Sequence, residues 1–245
     1  MKQKEANYGV DAPGFILGHI ILGTSAVFLA IVIYSLILPA RPMLGRVLLI
    51  LDVLAGMWGF VIAGGFLWSS KVGKLHEHDR LMNLIQWRRD EKVLDVGCGR
   101  GLMLVEAAKR LTTGKAVGVD VWDAGDESSN RPESTLENAR SEGVENRIEV
   151  KYGDARQLPL ENETFDIVMS SLVLHNIHSK AERKKAICEM VRVLKPGGQI
   201  AILDLLHFGE FMRVLDESGM IEIKMSRPRV LFLVISRIIS AKKSL

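Results

Sequence analysis

Two long apolar runs open the chain, and a regular exchange of short apolar strand patterns with amphipathic helical ones fills the rest. Phe15 to Leu38 is twenty-four residues without a formal charge, and Val47 to Trp68 is a further twenty-two carrying one carboxylate, Asp52. At about 1.5 Å per residue each run as a helix exceeds the roughly 30 Å hydrocarbon core of a bilayer. The pattern predicts a transmembrane helical hairpin over residues 1–70, joined by the short loop Pro39 to Arg46. A helical hairpin buried in a soluble protein is the alternative. A cleaved signal peptide does not fit, because the first run is too long for a secretory core and no small-x-small site follows it before the second.

Downstream, buried-strand patterns occur at Val93 to Val96, Ala116 to Asp120, Ile148 to Lys151, Phe165 to Ser170 and Gln199 to Leu205. Between them lie helical patterns at Leu102 to Leu111, at Glu133 to Glu142 and at Lys180 to Leu194. The last carries Ala186, Ile187, Met190, Val191 and Leu194 on one face, and the turn Leu194 to Gly198 stops it and launches the next strand. Phe208 to Ser218 reads as a short helix stopped by Gly219, and Ile221 to Met225 with Val230 to Ser236 as a closing antiparallel hairpin. This predicts an α/β domain over residues 92–245, with residues 71–91 as a linker.

The first strand breaks into Asp95-Val96-Gly97-Cys98-Gly99-Arg100-Gly101. Glycines at alternate positions permit positive φ and let a ligand approach backbone, while the helix that follows presents unsatisfied N–H groups. A dinucleotide fingerprint would read G-x-G-x-x-G. Here the third glycine comes one residue early, and Asp95 precedes the first by two. Such a loop suits a ligand bearing an ammonium and a carboxylate better than a pyrophosphate, although a tight turn alone would need no ligand. Asp120 ends the second strand nineteen residues past Gly101, where a carboxylate can hold a ribose diol. Asp154 follows the third strand, within reach of an adenine amino group.

In this order and spacing, the glycine loop, Asp120, Gly153-Asp154-Ala155, the strand Phe165 to Ser170 and the turn Leu194-Lys195-Pro196-Gly197-Gly198 resemble the class I S-adenosylmethionine-dependent methyltransferases. The likeness is to their small-molecule branch and covers about Lys92 to Gly198. It implies a Rossmann-like seven-stranded sheet, six strands parallel and one antiparallel, with S-adenosyl-L-methionine as cofactor. The cofactor-binding residues it implies are Asp95, Gly97, Cys98, Gly99, Gly101, Asp120, Val121, Trp122, Asp154, Ala155 and Ser171. It also implies a helix capping the site. Leu81, Leu84, Ile85 and Trp87 are spaced for such a cap, with basic residues turned to lipid headgroups, or for a plain linker helix packed on the sheet. The chain departs from the family after Asp120, where Val121 to Asn130 delays the next helix. Trp122 there is placed to stack beside an adenine, to wall the acceptor pocket, or merely to pack.

Charge orients the hairpin. Its loop carries Arg41 and Arg46, whereas the flanks carry Lys2, Lys4, Lys71, Lys74, Arg80, Arg88 and Arg89, so both termini and the catalytic domain are expected in the cytoplasm. Gly14 and Gly18 on the first span, and Ala55, Gly59 and Ala63 on the second, suit close packing of the two spans or of two copies of the chain. His19 and Asp52 fall in opposite leaflets near the interfaces, which favours snorkelling or local hydrogen bonding over a proton path. From Lys71 onward there are 28 basic and 26 acidic residues, which gives no case for nucleic acid. The two cysteines, Cys98 and Cys188, have no metal-type spacing, so no metal is expected.

Ligands in open α/β sheets bind beyond the carboxyl ends of strands, which directs attention to Ser170 to His178. His175 is the candidate base for an acceptor that carries a proton at attack, with Asn176 or His178 orienting the substrate and His207 a weaker second candidate. A pocket-shaping role is the alternative for His175. The tail residues Arg237, Lys242 and Lys243 are expected on anionic lipid or in solvent. The resulting expectation is a membrane-anchored methyltransferase of a hydrophobic or lipid acceptor. Two other readings stay open: a soluble acceptor with an anchor that only localises, and a non-catalytic membrane-bound module that binds S-adenosylmethionine.

Overall fold

The computed structural model describes residues 6–122 and 130–245. The apolar runs form α1 (Pro13–Val32), which passes through a π-helical turn at Ile33–Ile37 into α2 (Leu38–Ala40), and α3 (Pro42–Trp68). Both helical runs are long and apolar enough to cross a membrane, and most of their side chains face outward. The reversal is tighter than the expected loop Pro39 to Arg46: it turns at Arg41, between Ala40 and Pro42, because proline at a first helical position is preorganised for the helix. Close contact of α1 with α3 uses Gly23 and Ala26 against Gly56, Gly59 and Ala63. A Cβ on Gly59 would lie 2.7 Å from the His19 carbonyl. Gly14 and Gly18 have nothing within 4 Å and Ala55 is exposed, so those three small residues do not make the contact. His19 bonds locally, its Nδ1 lying 2.9 Å from the Phe15 carbonyl.

The linker is not a separate segment. From α3 the chain continues through a second π-helical turn, Ser69–Gly73, into α4 (Lys74–Leu84), giving one helical run of 43 residues from Pro42 to Leu84. Leu81, Met82 and Ile85 are buried against the sheet, whereas Leu84 is exposed. Lys74 turns inward to pair with Asp11 at 3.0 Å and Arg80 pairs with Glu77, contrary to the expectation that the basic groups here face lipid.

Among the described residues eight strands follow: β1 (Lys92–Val96), β2 (Lys115–Asp120), β3 (Ile148–Tyr152), β4 (Phe165–Ser171), β5 (Leu194–Asp204), β6 (Met220–Met225), β7 (Arg229–Leu231) and β8 (Val234–Lys243). Their order is β3-β2-β1-β4-β5-β8-β6, with β7 added to the start of β8. Pairing is parallel from β3 to β5 and antiparallel at both edges of β8, so β8 is the single reversed strand of a seven-stranded sheet. Alternate residues of β1 and β4 enter two cores. Leu94, Val96 and Val168 pack towards α7 (Lys180–Val193) and α8 (Phe208–Glu217), while Val93, Ile167 and Met169 pack with α4 and α5 (Leu102–Arg110). α6 (Pro132–Ser141) flanks β3, and Ala139 joins the second core.

The C-terminal end departs from expectation. β6 pairs with the far half of β8 (Met220 with Lys243), not with Val230 to Ser236, and that stretch instead folds on itself as the β7–β8 hairpin. Arg237, Lys242 and Lys243 are therefore strand residues inside the sheet and not a tail. The reason is a set of open acceptors: Lys243 Nζ donates to the carbonyls of Val191 and Leu194 at the end of α7, whose last carbonyls have no partner within the helix.

Candidate functional site

The strand order reverses at β1, between β2 and β4, and the carboxyl ends of these strands frame a cavity of about 980 Å³. Of the residues expected at the cofactor, Asp95, Gly97, Cys98, Gly99, Asp120, Val121, Asp154, Ala155 and Ser171 line it. Gly101 and Trp122 lie outside its wall. Gly101 (φ 83°) is the left-handed residue that starts α5, and Trp122 lies across the glycine loop, its Nε1 donating to the Gly99 carbonyl at 3.3 Å. Gly97 (φ 75°) admits no side chain, since a Cβ would meet Val173 at 2.2 Å. Cys98 is buried with its sulfur against Gly118, which makes it a packing residue of the loop. The stretch after Val121 expected to depart from the family lies largely outside the described residues, at 123–129.

Two carboxylates set the electrostatics of the loop. Asp120 accepts from the backbone N–H of Gly99 at 2.7 Å and of Trp122 at 2.6 Å, so backbone fixes its plane at the end of β2. Burial raises its pKa and those bonds pull it back down. Asp95 is 2% exposed, and its Oδ2 is buried with no hydrogen-bond partner. Burial first, and then the Asp120 charge, push the Asp95 carboxyl up to about 7. An unpartnered buried carboxylate oxygen in a cavity wall is a place for a cation. Asp154 is held by Arg156 at 2.9 Å, which keeps its pKa below the usual carboxylate range.

At the other side of the cavity stands a pair joined over 29 residues of sequence. His175 follows β4 in a 3₁₀ turn, Leu174–Asn176, and its Nδ1 lies 2.6 Å from Oδ1 of Asp204, the last residue of β5. The His175 backbone N–H donates to the other oxygen of Asp204 at 3.2 Å. Asp204 is 1% exposed. With Nδ1–H donated to a carboxylate, the neutral ring keeps its lone pair on Nε2, the arrangement of an oriented base. Arg183, itself paired with Glu210 at 2.9 Å, donates to the carbonyls of Ile177 and His178 and so pins the segment after His175. Asn176 and His178 line the cavity; His207 does not, and it instead occupies a left-handed position (φ 62°) ahead of α8.

Three contributors escaped the sequence reading. Asp204 carried a signal, a carboxylate at the carboxyl end of a parallel strand, without any indication of its partner. His78 of α4 lines the cavity with Nε2 2.7 Å from Ser171 Oγ; burial, and next the Lys74 charge, hold its pKa down near 3, so it is neutral. The third is the wall made by Ala12, Phe66, Phe232 and Val234, which brings the membrane-type helices and the β7–β8 hairpin into the same cavity. Among the described residues no group of His, Cys, Asp or Glu is arranged to hold a metal ion.

Residues 94–202 match the family model described as a methyltransferase domain. A curated relative, the 27-O-demethylrifamycin SV methyltransferase of Amycolatopsis mediterranei (strain S699), is 31% identical over 163 residues, covering 63% of this chain and 55% of that protein. The ubiquinone/menaquinone biosynthesis C-methyltransferase of Idiomarina loihiensis is 31% identical over 118 residues, 48% of this chain and 43% of that one. The chain spans about half the length of the curated relatives it matches. Among solved structures, the YcgJ protein of Bacillus subtilis superposes with a TM-score of 0.60 at 15% identity, over 69% of this chain and 99% of that one, a likeness of fold alone. Residues 94–202 are therefore similar to a methyltransferase domain, a likeness that brings S-adenosylmethionine as the cofactor to test against the site. The site fits that cofactor on this structure's own terms: Asp95 offers an unpartnered buried oxygen to its ammonium, and Asp120 stands rigid at the strand end for its ribose.

Proposed function

We propose that the protein is a membrane-anchored methyltransferase that moves a methyl group from S-adenosylmethionine to a hydrophobic or membrane-associated small molecule, with His175 taking the proton of the acceptor. The observation that carries this reading is the His175–Asp204 pair on the wall of the cavity that also holds the glycine loop. When bound, the cofactor supplies an electrophilic methyl on a sulfonium. Asp95 and Asp120 would hold its ammonium and ribose, and the N–H groups opening α5 would take its carboxylate. The proton leaving a hydroxyl or an activated ring carbon passes to His175 Nε2, and Asp204 compensates the imidazolium as it forms. His78 and Ser171 present neutral hydrogen-bonding groups to the same space, and neutrality matters because a cation there would repel the sulfonium. The two long apolar helices support the anchor, and the basic flanks support a cytoplasmic domain.

The test is transfer of labelled methyl from S-adenosylmethionine to extracted membrane lipids by the full-length protein in vesicles. Label in the organic phase that depends on His175 is the expected result. Label only in water-soluble products would move the acceptor into solution and leave the anchor as an address. Cofactor binding without transfer to either fraction would favour the non-catalytic reading.

A further inference from the structure

We infer that the cavity opens sideways into the bilayer, and that the part of it lined by Ala12, Phe66, Phe232 and Val234 seats the hydrocarbon chain of a membrane amphiphile whose head is methylated at His175. This rests on the membrane reading above and adds to it a subsite, a direction of approach and a substrate class.

The tip of the β7–β8 hairpin is built against its local preference. Phe232 (φ 51°) and Leu233 (φ 61°) both occupy the left-handed region in a two-residue turn, positions that favour Asn and Gly. Such strain persists where surrounding contacts hold it. Here Leu233 seats on Gly65 and Leu231 on Gly73 of the helical run, the Phe232 N–H donates to Ser69 Oγ at 2.9 Å, and the Phe232 ring lies 5.5 Å from that of Phe66.

Depth follows from helical rise. Gly65 is six residues before Lys71, the first basic group after the span, so Leu233 sits about 9 Å to the lipid side of that charge. The hairpin is therefore continuous with the spanning surface. Its outward residues are apolar, with Val230 66% and Ile235 52% exposed, and Arg227 and Arg229 stand exposed at its base, a sequence of groups that suits acyl chains beneath anionic headgroups. The cavity grades the same way. Phe66, Phe232 and Val234 give it an apolar part, bordered at Ala12 by the Asp11–Lys74 ion pair, whereas His78, twelve residues and about 18 Å along the helical run from Phe66, stands with His175 among its polar residues. An apolar part at lipid depth and a base among the polar residues match one kind of molecule, an amphiphile that never leaves the membrane.

The test uses full-length protein in vesicles of phosphatidylcholine and phosphatidylglycerol that contain a C15 isoprenoid alcohol with a diazirine in its tail. After photolysis, peptide mapping is expected to find the label on Phe66 and on the 231–234 turn, and to find it reduced several-fold there in Val234→Trp, which fills that part of the cavity. Label confined to the outward faces of α1 and α3, or unchanged by Val234→Trp, overturns the proposal. A spin label on Val230→Cys in a Cys188→Ser background gives a readout independent of that variant's folding. Preferential relaxation by oxygen over a water-soluble nickel chelate supports immersion, and the reverse refutes it. Neither measurement needs turnover, so absence of methyl transfer with this labelling pattern would sink the enzymatic reading and leave the lipid subsite standing.

Discussion

Replacing Asp95 by Asn separates what the fold tolerates from what the ligand needs. The carboxyl is nearly inaccessible, one oxygen lacks a partner, and its pKa stands at about 7 against an ordinary 3.8. A carboxyl whose folded pKa is raised leaves the folded state holding the proton more tightly than the unfolded chain. Stability therefore falls as pH rises from about 3.8 to about 7 and stays flat above. At about 1.4 kcal/mol per unit, the displacement bounds the penalty at about 4 kcal/mol, and relaxation and water in the cavity bring the expected value to roughly 2 kcal/mol. Asn keeps the shape and abolishes the charge. In denaturant titrations of the full-length protein in detergent without cofactor, Asp95→Asn should match the parent near pH 4 and exceed it by roughly 2 kcal/mol at pH 8, with the gap opening between those limits. The same variant should bind S-adenosylmethionine about 10-fold or more weaker at pH 8, the scale of losing a hydrogen bond to a charged group. A variant less stable than the parent at pH 8, or an unchanged cofactor affinity by calorimetry, would remove the reason given for the unpartnered oxygen.

Asp120→Ala should weaken cofactor binding by about 1 to 3 kcal/mol in the same calorimetry and also lower stability, because the N–H groups of Gly99 and Trp122 lose their acceptor. If His175 is the base, Asp204→Asn should lower kcat by about 10²- to 10⁴-fold while leaving cofactor affinity intact; equal loss of affinity would make the pair a structural brace. Gly59→Val sets a Cβ 2.7 Å from the His19 carbonyl and 3.0 Å from the Gly23 nitrogen. It should part α1 from α3, seen as faster proteolysis in the Arg41 turn, whereas Gly18→Val, with open space around it, should not.

The parallel sheet was legible because its strands are buried on both faces and read as short apolar runs, and because the glycine loop marks the end of β1. Partnerships across the sheet were not. His175 was visible as a candidate, but its orienting carboxylate lies on another strand, and nothing local in the segment around Asp204 announces a histidine. The cap was visible as an amphipathic segment around Leu81, yet His78 drew no notice and Lys74 read only as a basic flank, whereas the continuous helix turns both inward. Lys242 and Lys243 looked like a solvated end because basic termini usually are, but in β8 Lys242 pairs with Glu222 and Lys243 bonds the open carbonyls at the end of α7. The small-residue stripe was legible on α3 at Gly59 and Ala63 and misplaced at Ala55 and on α1, since spacing shows which residues share a face and not which face meets a neighbour.

Under the proposed anchoring, the helical run from Pro42 to Leu84 makes the protein a lever whose fulcrum is the bilayer. The run stays helical through its π-helical turn at Ser69–Gly73, so a tilt of the span is transmitted to the mouth that contains Phe66, Phe232 and the base beyond. A spanning helix adjusts to bilayer thickness mainly by tilting. In that reading membrane thickness acts on the protein as a geometric input, and turnover in vesicles of graded acyl-chain length should pass through an optimum for the full-length protein. A flat response would mean that the lever slips.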